Sequence, residues 1–426
     1  MPSLKSTRRS TIRAATLSGP LVALSLLAGV TGAAAQGAAP GAAPGAVCGN
    51  SGAGFNEWLD GFKRQAVAQG VSPRTVAAAL NGVTYDAQVV GTDRGQKVFG
   101  QSFFEFSDRM VANYRIQQGR QLLQKNQGLF DRIEQQFGVP GAVLVAFWGL
   151  ETDFGAFMGD KNTIRSVASL AWDCRRAEMF RTQLMAALKI IDRGDLTPQT
   201  MRGPWAGELG QFQFLPDHYL NYGVDFDGDG HIDLLRSAPD ALASAANYIK
   251  ALGWQRGQPW LEEVRLPANL PWDQADLSIK LPRAQWARFG VVRAGGQPLP
   301  ADNLPASVLL PMGRTGPAFL VYPNFDIFTE WNNSLVYATS AAYLAARVAG
   351  APAYNRGAGK AIPVLGQAQV MELQRLLNAR GHHVGRIDGI TGAATRQAVK
   401  VEQMRLGLPA DSYPTPELLA ALRAGR

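Results

Sequence analysis

The chain has 426 residues, of which 46% are hydrophobic and 18% charged, and its formal net charge is +8. That length supports two or more domains with a sizeable core, and the composition is that of a globular protein. The positive balance favours an anionic partner, but no basic run is interleaved with aromatics, which sets nucleic acid aside.

The chain opens on Lys5, Arg8, Arg9 and Arg13, followed by an apolar stretch from Leu21 to Val30 and then Ala33-Ala34-Ala35. The stretch is short for a spanning helix, and the alanines form a cleavage-like site. Residues 1–35 therefore read as a secretory signal, with an uncleaved anchor as the alternative. The Arg8-Arg9 pair leaves the folded-export route open. No cysteine follows the apolar stretch directly, so the expected product is a soluble exported, periplasmic protein with no stable membrane insertion, and not a lipoprotein. Residues 36–50 form a Gly/Ala/Pro-rich flexible leader. The two cysteines, Cys48 and Cys174, allow a single pairing in an oxidising compartment. They read either as a disulfide that staples the start of the domain or as two free thiols.

Residues 51–255 show helical periodicity, as in "NEWLDGFKRQAVAQG" and "NQGLFDRIEQQFG". Pro140 opens "PGAVLVAFWGLE", which is nearly all apolar and so must be enclosed. "DALASAANYIKALGW" is a small-residue helix able to pack closely. Residues 258–328 hold many prolines and short β-type runs and read as a small, irregular β insertion. "NSLVYATSAAYLAARVAG" returns to helix, residues 349–363 read as a linker, and residues 364–426 as a separate small unit.

Three stretches carry chemistry. In "FWGLETDFGAFMG", Glu151 ends the apolar helix beside Trp148 and Phe154. A desolvated carboxyl keeps its proton toward neutral pH and can donate it to a leaving group; the plainer reading is a helix-end hydrogen bond. In "WAGELGQFQFLPDHYLNYG", glycines allow close backbone approach, and Gln211 and Gln213 beside Phe212, Phe214 and Tyr219 suit sugar hydroxyls and N-acetyl groups; ordinary helix packing is the alternative. In "DFDGDGHID", Asp225, Asp227, Asp229 and Asp233 fall at positions 1, 3, 5 and 9 of a calcium loop, with Gly230 at 6 and His231 offering its carbonyl at 7. Arg236 stands where the closing Glu usually lies, and Asp240 is the substitute. A structural calcium explains the alternation; a solvated acidic turn is the other reading. No organic cofactor is expected.

With "RRAEMF", "ANYIKALGW" and "PNFDIFTEWNNSLVYA", these motifs resemble, in order, the catalytic domain of the lytic murein transglycosylase B family over residues 51–348. The resemblance implies a mainly α (α+β) fold: a lysozyme-like helical catalytic domain with a small β insertion. It implies Glu151 as the catalytic acid/base, substrate contacts at Arg175, Arg176, Gln213, Asn332 and Tyr337, and calcium ligands at Asp225, Asp227, Asp229, His231, Asp233 and Asp240. Pro204 departs from the family's frequent Ser before "WAGELGQ". The tail resembles a three-helix peptidoglycan-binding domain, with Glu402 where the family usually has Phe.

The implied reaction cleaves the MurNAc–GlcNAc β-1,4 bond of peptidoglycan glycan strands without water and leaves 1,6-anhydro ends. A lysozyme-type hydrolase and a non-catalytic wall binder are the rivals. The linker further predicts a tail that works as a flexible tether.

Overall fold

The computed structural model describes residues 48–95, 100–357 and 362–425. The expected signal and all but the end of the leader lie outside the described residues.

Short amphipathic helices come first: α1 (Phe55–Ala68), α2 (Pro73–Leu80), α3 (Ala87–Arg94), α4 (Phe103–Met110), α5 (Asn113–Lys125) and α6 (Gln127–Phe137). Ser72, Asp86 and Ser102 start three of them by accepting first-turn N–H groups. They surround α7 (Gly141–Thr152), which is buried continuously from Gly141 to Leu150. A helix apolar on every side has no face to offer water, so it becomes the axis of the core.

Beyond it, β1 (Lys161–Asn162) pairs antiparallel with β2 (Arg202–Gly203). Between them run α8 (Thr163–Trp172) and α9 (Ala177–Arg193), and after them α10 (Pro216–Tyr222) and α11 (Ala238–Ala251), which bracket the acidic loop. Cys48 and Cys174 are joined, with Cα atoms 5.0 Å apart, and Gly49 bridges to Asp173. The start of the described chain is thereby fixed beside the loop that leads into α9. Thiol labelling of denatured, unreduced protein is expected to find neither cysteine; two labelled thiols would refute the bridge.

The expected β insertion is more regular than its proline content suggests. It contains β3 (Leu261–Arg265), β4 (Leu281–Pro282), α12 (Arg283–Arg288), β5 (Val292–Arg293), β6 (Pro305–Leu309) and β7 (Ala318–Val321), and its strands make one antiparallel sheet in the order β4-β6-β7-β3-β5. The two prolines inside strands, Pro282 at the end of β4 and Pro305 at the start of β6, sit at strand ends, where a ladder donor is not needed. The sheet has its own core around the fully buried Trp286, whose Nε1 donates to the Ala306 carbonyl at 2.8 Å. α13 (Pro323–Trp331) and α14 (Leu335–Val348) then return to the helical core, where α14 packs on α7. The tail is three helices, α15 (Gln367–Ala379), α16 (Ala393–Arg405) and α17 (Pro416–Arg423), around Leu373, Leu377, Val399 and Leu418. Among the described residues no helix is long and apolar enough to cross a membrane.

The tether expectation needs correction. In the linker, Tyr354 is buried against Phe103, Phe104 and Tyr343, and Arg356 pairs with Asp108 at 2.6 Å. The tail also docks on the β insertion. Lys400 pairs with Asp276 at 3.0 Å, both largely buried, Arg396 donates to the Leu310 carbonyl at 2.8 Å, and Asp411 accepts the Arg314 N–H at 3.0 Å. Composition marked this segment as Gly/Pro-containing and missed the one aromatic that pins it. Glu402 is buried without cost to the fold, because His382 (2.8 Å) and Arg405 (2.7 Å) satisfy its carboxylate.

Candidate active site

Glu151 sits one residue from the end of α7. Asp153 and Phe154 both adopt the left-handed conformation, at φ 51° and 64°, and turn the chain sharply away. Such strain in two consecutive non-glycine residues persists only where the surroundings hold it, and it concentrates at functional sites. Here Thr152 holds it: its hydroxyl donates to the Gln211 carbonyl at 2.7 Å and accepts the Gly155 N–H at 2.9 Å.

The carboxyl of Glu151 is partly accessible but densely surrounded by protein. Trp331 Nε1 donates to its Oε1 at 2.9 Å, and the Tyr337 hydroxyl donates to the same oxygen. Burial pushes the Glu151 carboxyl above its ordinary range, and the two donors oppose that shift without cancelling it. The expected desolvating neighbours, Trp148 and Phe154, pack edge to face on each other at 5.8 Å. The groups that touch Glu151 come from α13 and α14, with Trp331 stacked on Phe147 at 4.3 Å. Asp153, the neighbouring carboxylate, is bound to Arg115 at 3.1 Å and Tyr114 at 3.2 Å.

Glu151 opens into a cleft of about 1800 Å³, which Tyr114, Asn332 and Tyr337 also line. The tail supplies part of the same wall through Gly389, Thr395, Arg396 and Tyr413. Asn332 caps the turn into α14 by accepting the Ser334 N–H at 2.9 Å. Tyr337, expected as a substrate contact, spends its hydroxyl on Glu151. The other three expected contacts do not line this cleft. Arg175 and Arg176 both pair with the buried Asp93, Arg175 at 2.6 Å. Gln213, at φ 52°, donates its amide to the Gly210 carbonyl at 3.0 Å.

In the acidic loop, oxygens of Asp225, Asp227 and Asp229 lie within 4.8 Å of one another. Asp225 accepts the N–H groups of Gly228 (2.7 Å) and Gly230 (2.9 Å), so the loop is closed around its first carboxylate. Gly228 and Gly230 take positive φ, at 80° and 90°, as this tight winding requires. Hard carboxylate oxygens at this spacing fit a cation of the calcium type. Asp233 is instead paired with Arg236 at 2.6 Å. Asp240 accepts N–H groups from Phe226 (2.8 Å) and Asp233 (2.9 Å), so it braces the loop from the start of α11.

One site residue escaped the sequence reading. Trp331 lay inside a quoted motif, but nothing in local spacing ties it to a glutamate 180 residues earlier.

Residues 54–346 match the Transglycosylase SLT domain family, and residues 366–422 match the peptidoglycan binding domain family. The chain is similar to the membrane-bound lytic murein transglycosylase B of Escherichia coli K12, with 31% identity over 251 residues, covering 58% of this chain and 68% of that protein. It resembles the crystal structure of SltB3 from Pseudomonas aeruginosa in complex with NAG-anhNAM-pentapeptide, with 43% identity, a TM-score of 0.80, and coverage of 87% of this chain and 99% of that one. It also resembles the Escherichia coli lytic transglycosylase Slt35 in complex with calcium, at 28% identity and a TM-score of 0.60, covering 71% of this chain and 96% of that one.

Proposed function

Because the chain belongs to the Transglycosylase SLT domain family, as a peptidoglycan lytic transglycosylase with a lysozyme-like helical core, we propose that Glu151 performs both proton transfers of its reaction. The observation that carries this is a carboxyl that lines the cleft, that burial pushes above its ordinary range, and that has two donors on one oxygen. The proton goes from Glu151 to the glycosidic oxygen as the bond to C1 breaks, and the GlcNAc 4-hydroxyl leaves. The carboxylate so formed is what Trp331 and Tyr337 stabilise best, since hydrogen bonds to a charged acceptor are stronger. It then takes the proton of the MurNAc C6 hydroxyl, whose oxygen bonds to C1 and closes the 1,6-anhydro ring. No water is consumed. Hydrolytic glycosidases use a second carboxylate to direct water, and the adjacent Asp153 is occupied by Arg115.

Mass spectrometry of murein digested by the purified protein tests this directly. Anhydro ends are expected; reducing ends, heavier by one water, would mean a lysozyme-type hydrolase instead. Asn332 faces the glycan from the cleft.

The site of action is the periplasm, reached through the basic and apolar N-terminal segment, after which the protein is soluble. The acidic loop holds calcium through Asp225, Asp227, Asp229 and the carbonyl of His231, as a structural ion away from the chemistry. A ligand of the native state stabilises it by about 2.7 kcal/mol at a hundredfold excess over Kd. The melting temperature is therefore expected to rise by several degrees between EDTA and millimolar calcium; coincident melting curves would refute the ion.

A further inference from the structure

Gln211 has the residue type of a sugar contact, yet it is 6% exposed and does not line the cleft. It stands instead between two segments far apart in sequence. On one side is the stretch that leaves the acidic loop. The Gln211 backbone N–H donates to the Leu234 carbonyl at 2.9 Å, and its side-chain amide donates to the Leu235 carbonyl at 3.3 Å. On the other side is the turn after Glu151. The Gln211 carbonyl accepts the Thr152 hydroxyl at 2.7 Å, and that hydroxyl accepts the Gly155 N–H at 2.9 Å.

The fit is close on both sides. A Cβ on Gly210 would lie 2.5 Å from the Leu234 carbonyl oxygen, and one on Gly155 would lie 3.1 Å from Gln211 Oε1. Both glycines take positive φ, at 74° and 86°, so backbone meets backbone where a side chain has no room. The stretch that receives Gln211 is shaped in turn by the acidic loop. Asp233 accepts the N–H groups of Leu235 (3.0 Å) and Arg236 (2.9 Å), Asp240 accepts the Asp233 N–H at 2.9 Å, and Asp195 accepts the Ile232 N–H at 3.1 Å.

We infer that Gln211 is a positioning residue that couples the winding of the acidic loop to the turn that holds Glu151. Its carbonyl fixes the Thr152 hydroxyl. That hydroxyl fixes the turn through Asp153 and Phe154, two residues in a conformation that persists only while it is held. The end of α7 follows the turn, and with it the Glu151 carboxyl. A catalytic group displaced by about 1 Å can cost a hundredfold in rate, so the loop serves the reaction without touching the glycan. The inference rests on Glu151 as the proton donor.

The test uses the full chain and two readouts. The first is turnover of a soluble glycan. Thr152→Val keeps the shape of the side chain and removes the hydroxyl. Its kcat is expected to fall about fivefold to tenfold, the effect of one buried hydrogen bond, with KM nearly unchanged. Thr152→Ser restores the hydroxyl and should recover most of the loss. Gln211→Met removes only the side-chain amide and should lose less, since the backbone ties remain. The second readout is amide hydrogen exchange, which needs no turnover. Asp225→Ala removes the acceptor of the Gly228 and Gly230 N–H groups and loosens the loop whether or not an ion is bound. Exchange should quicken at residues 153–157 as well as in the loop. In a Thr152→Val background, Asp225→Ala should add little at 153–157, the non-additivity expected of coupled positions. Exchange at 153–157 that Asp225→Ala leaves unmoved overturns the inference. So does a Thr152→Val loss that falls on KM, or one that Thr152→Ser does not restore. Activity retained by Glu151→Gln would instead overturn the assignment of Glu151, a failure the exchange measurements do not share.

Discussion

Glu151→Gln is expected to lower turnover of murein by about 10²–10⁴-fold, the range for losing a general acid–base. The amide oxygen still accepts from Trp331 and Tyr337, which touch one oxygen only, so the fold and glycan binding should remain. The loss should fall on kcat and leave KM nearly unchanged, because no ground-state contact is removed. In the proposed mechanism the donor is protonated Glu151, whose carboxyl burial holds above its ordinary range. Activity should therefore extend toward neutral pH and decline as pH rises through that elevated value. Tyr337→Phe and Trp331→Phe each remove one opposing donor. Each should move this alkaline limb further upward while lowering kcat, since the carboxylate formed during the reaction loses its partner. A wild-type rate from Glu151→Gln would sink the assignment.

What the sequence made legible follows the reach of its physical signals. The unbroken apolar run of α7 could only be a buried helix, and the charged residue at its end was for that reason an acid in a dry place. The carboxylates at 225, 227 and 229 repel one another unless something joins them, so their alternation shows without coordinates. Long-range pairings were out of reach. Trp331 and Tyr337 arrive at Glu151 from helices that the β insertion separates from α7, and no local period encodes that meeting. Asp240 was visible as an acid near the loop's end, but not its bracing role: its oxygens accept backbone N–H groups of Phe226 and Asp233. The linker failed on composition, because one buried tyrosine outweighs the small residues around it.

Removing the tail beyond residue 357 tests what that misreading hides. A flexibly tethered module would add affinity for insoluble sacculi through effective concentration and leave turnover of short soluble glycans untouched. The docked tail predicts a different pattern. Gly389, Thr395 and Tyr413 line the cleft into which Glu151 opens, and the Lys400–Asp276 pair fixes α16 against the β insertion. Truncation strips one wall from the glycan path and exposes Leu310 and Met312, both buried in the intact protein. It leaves Asp276 without its cation, at a cost that falls on the insertion. Binding to sacculi is expected to fall, and kcat/KM on soluble glycans long enough to cross the cleft should fall about tenfold, roughly 1.4 kcal/mol of lost contact. A disaccharide analogue that occupies only the Glu151 end should lose less. Lys400→Ala with Arg396→Ala in the full chain should reproduce the soluble-substrate defect while retaining the tail, which separates docking from mere presence. If truncation lowers sacculus binding alone, the tail is a tether after all, and the contacts at Asp276 and Leu310 do not set the shape of the cleft in solution.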